Sequence, residues 1–117
     1  MTKKIEKNEK VLQLTMDEKI KQARNFIPEN GDMMKMLVVR SLVEKFSPTK
    51  KELDSGRVKQ EIINGNVSYR YVPASKADKL SLSEAEVMIL KEGFNKMNKE
   101  NKITLEILDL AKKISEL

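Results

Sequence analysis

Apolar positions along the chain follow two periods, one helical and one alternating, and their order outlines the fold. Met16, Ile20, Ala23 and Ile27 recur at spacings of four, three and four, which places them on one helical face. Thr15 followed by Glu18 forms a capping-box signature at the start of that helix, and Pro28 with Asn30-Gly31 ends it. Before it, Val11 to Leu14 read as a short extended entry. Asp32 is placed to cap a second helix running to about Phe46. Met33, Met34, Met36, Leu37, Val38, Val39, Leu42, Val43 and Phe46 leave that helix no clean polar face, which predicts a central position in the domain. Its methionines suit a pliable binding groove or an irregular interior, and the all-round apolarity favours the interior.

Ser47-Pro48-Thr49 signals a third helix start, with Ser47 as N-cap, Pro48 at the first helical position and Glu52 placed to help the cap. Asp54-Ser55-Gly56 ends this helix within two turns. Asn64-Gly65 then sits between two alternating runs, and Asn-Gly suits the left-handed dihedrals of a type I′ hairpin turn. Pairing Ile63 with Asn66 sets Ile62 against Val67, Gln60 against Tyr69 and Val58 against Tyr71. Those last six share one side of the ribbon, and five of them are apolar or aromatic. Lys59, Glu61, Ser68 and Arg70 occupy the other side.

Pro73 closes the second strand, and residues 74–79 read as a loop. Overlapping capping boxes at Ser81/Glu84 and Ser83/Glu86 open a helix near Ser83, with a stripe of Val87, Leu90, Phe94 and Met97. A last helix capped by Thr104 carries Ile103, Ile107, Leu110, Ile114 and Leu117. The two stripes are too short for a coiled coil and form a helical hairpin. The predicted fold is therefore α+β and mainly helical: helix, helix, short helix, β-hairpin, then a C-terminal helical hairpin. Residues 1–10 form a charged, flexible basic arm. Residues 11–117 form a single domain, with the helical core and hairpin in 16–72 and the helical pair in 80–117.

Composition removes many chemistries. The 117 residues include no Cys and no His, so thiol nucleophiles, disulfides, the usual zinc sites, haem ligation and imidazole proton transfer have no residues to build on. No glycine-rich phosphate fingerprint, calcium loop or G-x-S-x-G elbow appears. Glu84 with Glu86 reads as helix capping rather than an acid/base pair. Tyr69 and Tyr71 read as core tyrosines rather than nucleophiles, because both fall on the apolar side of the ribbon. The expectation is a non-enzyme with no cofactor and no metal. No apolar run approaches the length of a membrane span, and a cysteine-free, leaderless start fits the cytoplasm.

Charge adds the main functional hint. The net charge is +5. Residues 1–24 and 47–79 each carry seven Lys/Arg against four Asp/Glu, whereas residues 80–117 carry six against seven. With this distribution, the element order of residues 16–72 resembles a winged helix-turn-helix domain followed by a helical appendage. That resemblance implies a small accessory or regulatory protein that binds double-stranded DNA through phosphate contacts. The residues placed for those contacts are Lys50, Lys51, Arg57, Lys59, Arg70 and Lys76, assisted by Lys3, Lys4, Lys7 and Lys10. Residues 48–56 are short for a recognition helix and poor in base-reading side chains, which favours backbone contacts over sequence readout. The alternative is a non-catalytic protein-interaction module, such as an adaptor, an accessory subunit or an inhibitor of the kind small phages and plasmids encode. Its partner would be another protein or, through the C-terminal helices, a second copy.

Overall fold

Three carboxylates at helix starts organise the fold. A computed structural model describes residues 10–117. The proposed contacts of Lys3, Lys4 and Lys7 lie outside the described residues, whereas Lys10 opens strand β1 (Lys10–Leu12). A helical segment follows from Met16 to Phe26. It is not a plain α-helix: Glu18–Gln22 is a π-helical turn and Ala23–Phe26 a 3₁₀ turn. Lys19 and Gln22 are buried with Met16, Ala23 and Phe26, while Ile20 and Ile27 are only half-buried.

Helix α1 spans Met33–Phe46 and is capped by the Asp32 carboxylate, which accepts from the Lys35 amide at 2.8 Å. The expected central position of α1 is corrected. It buries one face through Val39, Leu42 and Phe46, while Met33 (75% exposed), Met34, Leu37 and Val43 face solvent. Met33 and Met34 line a surface, whereas Met36 is half-buried and packs against the main core. Helix α2 (Lys50–Asp54) is one short turn whose N-cap is Thr49, not Ser47. The Ser47 hydroxyl instead donates back to the Val43 carbonyl and finishes α1.

Strands β2 (Val58–Ile63) and β3 (Asn66–Tyr71) form the hairpin in the expected register, with Ile63 opposite Asn66 and Val58 opposite Tyr71. Asn64 and Gly65 have φ of 53° and 81°, the signature of a type I′ turn. The expected core face is only half realised. Val58 is buried and Tyr69 and Tyr71 are half-buried, forming a small cluster with Met16, Ala77, Ile20 and Leu53. Towards the tip, Ile62 and Val67 are exposed, since the ribbon outreaches the body it leans on.

The chain returns through β4 (Leu80–Leu82), a strand in a stretch that showed too few alternating residues to be read as one. It pairs antiparallel with β1, setting Lys10 against Leu82. Helix α3 (Glu84–Lys99) has the full Ser83/Glu86 capping box. Helix α4 spans Leu108–Ser115 and begins four residues after Thr104, which sits in a preceding turn. The helical pair is as expected: α3 and α4 pack together, and Leu90, Ile107, Leu110 and Ile114 join the main core with Leu12, Leu42 and Leu82. The architecture is α+β, with a two-stranded ribbon set between helices.

Candidate functional site

Each of the three capping boxes buries a glutamate, and each glutamate meets a lysine from a distant element. Glu18 accepts from the Thr15 amide at 2.9 Å and from Lys113 at 2.7 Å, tying α4 to the first helical segment. Glu86 accepts from the Ser83 amide at 2.8 Å, Lys45 at 2.7 Å and the Ser41 hydroxyl at 2.6 Å, tying α1 to α3. Glu52 accepts from the Thr49 amide at 2.9 Å, Lys19 at 2.8 Å and the Asp78 amide at 3.0 Å. The Lys19 and Glu52 side chains are both fully buried.

Burial alone raises a carboxyl pKa, and at Glu52 and Glu86 the donors outweigh it. Glu52 is held below its ordinary value: desolvation opposes ionisation, but the Asp78 amide, the Lys19 ammonium and the Thr49 amide favour it more. Glu86 is lowered by the same balance, with Lys45, Ser41 and the Ser83 amide against burial. Tyr71 goes the other way. Burial, together with the hydroxyl it donates to Asp17 at 3.0 Å, pushes its phenol up to about 12. These groups are held in one protonation state near neutrality, as structural anchors are.

Next to the Lys19–Glu52 junction lies an open cleft of about 900 Å³. The first helical segment contributes Ile20, Ala23 and Ile27, α1 contributes Met36, Val39, Val43 and Phe46, and β3 contributes Val67, Tyr69 and Tyr71. Its charges are few and largely answered. Lys19 is neutralised by Glu52, Lys21 lies 3.4 Å from Glu106, and the lining holds one further cation, Arg24, and one anion, Glu29. Such a surface takes apolar side chains more readily than phosphates. Among the described residues, no group of three or more acidic side chains is placed to hold a metal, and no helix is long and apolar enough to cross a membrane.

The cations singled out in the sequence divide into two sets. Lys50 pairs with Asp54 at 3.0 Å, Arg57 with Asp78 at 3.2 Å and Arg70 with Glu61 at 3.1 Å. Lys51, Lys59 and Lys76 are exposed and make no ion pair among the described residues. The fold brings Lys59 and Arg70 directly opposite each other across the ribbon. Sequence reasoning missed Lys19, and a signal for it existed. Lys19 follows Met16 by three residues and precedes Ala23 by four and Phe26 by seven, the spacing of a buried stripe. A lysine on such a stripe needs a buried anion, and Glu52 supplies it. Neither the family models nor the curated proteins nor the solved structures compared with this chain give a match.

Proposed function

We propose that this protein is a non-catalytic interaction module that receives an amphipathic segment of a protein partner in the cleft between the β2–β3 hairpin and α1. The observation that carries this reading is the exposure of Val43 of α1 and Val67 of β3, both of which line a cleft whose lysines are mostly paired with acids. An apolar surface of this kind is stabilised by covering it, and a partner's helix or strand supplies matching side chains at regular spacing. A second reading, backbone binding to duplex DNA, draws support from Lys51, Lys59 and Lys76, which make no ion pair among the described residues. Three of its six cations are already answered by acids, which lowers the number of phosphates they can neutralise.

One paired experiment separates the readings. The wild type and Val43→Glu/Val67→Glu are used as bait for protein capture, and both are titrated against labelled duplex alongside Lys51→Glu/Lys76→Glu. The interaction reading expects a co-purifying protein that the cleft variant loses and the lysine variant keeps. Duplex binding that falls steeply with salt, with a log–log slope of about −0.9 per phosphate neutralised, supports the nucleic-acid reading if the lysine variant loses it and the cleft variant keeps it.

A further inference from the structure

The outer edge of β2 carries a pattern that is complementary to itself. In a two-residue hairpin the residues flanking the turn exchange hydrogen bonds, so Ile63, Glu61 and Lys59 direct their backbone groups towards β3. Val58, Gln60 and Ile62 then direct theirs outward. Among the described residues, β2 pairs only with β3, and no backbone hydrogen bond outside the regular elements involves Val58, Gln60 or Ile62. The six pairs of the ribbon run without a bulge or a proline, two of the devices that protect an edge. The base of the ribbon is packed on the body, but its apolar tip at Ile62 and Val67 is exposed, and further strands beside it would stabilise that part.

We infer that β2 pairs antiparallel with β2 of a second copy about a two-fold axis at Gln60, making one four-stranded sheet from two hairpins. In this register Gln60 meets Gln60 of the second copy through outward-facing backbone groups. Lys59 lies against Glu61 of the second copy and Glu61 against its Lys59, while Val58 and Ile62 pair likewise on the other face. Within one chain Lys59 faces Arg70, a like charge, and has no ion pair among the described residues. By symmetry each Lys59 then meets a carboxylate of the second copy, one that it shares with that copy's Arg70. Ile62, 71% exposed in the single chain, gains an aliphatic neighbour. In this register the tip of the second hairpin lies opposite Gly56, where a side chain added at the glycine would meet nothing within 4 Å. The outer edge of β3 has no equivalent pattern, since its sequence Asn66–Tyr71 holds Arg70 and no acid. The cleft is lined by β3 and not by β2, so this contact stands whether or not the cleft receives a partner.

Sedimentation equilibrium of the intact chain and three variants tests the contact. The wild type is expected to move from the 13.5 kDa monomer towards twice that mass across about 10–500 μM. Lys59→Glu sets carboxylates against each other at both symmetric positions and should raise the dimer Kd about tenfold or more. Lys59→Glu/Glu61→Lys exchanges the charges, remains self-complementary and should return the Kd to within about threefold of wild type. Gln60→Pro removes an outward N–H without touching the β2–β3 ladder and should abolish the dimer while the circular dichroism of the fold is kept. A wild type that stays monomeric throughout, or a dimer that Gln60→Pro leaves unchanged, overturns the inference.

Discussion

At the junction of the first helical segment, α2 and the turn at Asp78, two full charges sit out of water. On the first two turns of α1, Met33, Met34 and Leu37 sit in it. Residue type alone assigns these regions the other way round. The junction holds its charges because the carboxylate serves several needs at once. Helix starts leave amide groups without partners, and Glu52 satisfies the Thr49 amide as well as that of Asp78 before it meets Lys19. The α1 surface has no such constraint. A helix buries the face that its neighbours cover, and the packed neighbour on one side is α3. Burial is decided by what lies opposite a residue, and in this chain that rule separates a structural interior from a surface free for partners.

The largest effect expected from breaking this contrast is at Lys19. Lys19→Met keeps most of the length of the side chain and an unbranched apolar stem but leaves Glu52 buried without its counter-charge. Breaking a buried pair costs about 3–5 kcal/mol, and the two remaining amide donors to Glu52 place the loss near 3. Urea unfolding reads this directly, and Lys19→Met/Glu52→Gln should recover about half, because the uncompensated charge is gone while a carbonyl oxygen remains for one of the two amides of Thr49 and Asp78. A Lys19→Met protein as stable as wild type would mean that the pair anchors nothing.

The next effect tests close approach in the body. Gly93 lies within α3 where it crosses the end of the first helical segment, and a Cβ built there would stand 2.1 Å from the Phe26 carbonyl oxygen. Helix propensity favours Ala over Gly by about 1 kcal/mol. The neighbour here is backbone that cannot swing aside, so overpacking wins. Gly93→Ala is expected to destabilise by about 1–3 kcal/mol, seen as a lower urea midpoint with an unchanged slope. A more stable variant would mean that α3 and Phe26 are free to separate.

The parts of this fold that were legible in the sequence are those set by near neighbours. Thr15 with Glu18 and Ser83 with Glu86 lie three residues apart, and the hairpin register follows from Asn64-Gly65. What depends on distant segments was not legible. Leu80-Ser81-Leu82 becomes a strand because β1 lies beside it, and three residues carry too little alternation to show this alone. The lysines that complete the three caps lie 33, 41 and 95 residues from their glutamates. The candidate cations were found by composition, yet whether Arg57 or Arg70 is available depends on Asp78 and Glu61, whose positions only the fold provides. The cleft was invisible for the same reason, since its walls come from three separate stretches of chain.

The smallest effect sharpens the comparison most. Met34→Gln exchanges an exposed thioether for an amide of similar length and similar helix propensity, without adding charge near the N-terminus of α1. If the first two turns of α1 are solvent-facing in the isolated protein, stability should change by no more than about 0.5 kcal/mol in urea unfolding. The same substitution on a covered surface would remove an apolar contact and cost about 1–2 kcal/mol. Measured at low and high protein concentration, a loss that appears only at high concentration would place a second copy over α1. A loss at every concentration would mean that another part of the same chain covers it. No loss leaves Met33, Met34 and Leu37 as an uncovered apolar surface, available to a partner while the anchored body stays unchanged.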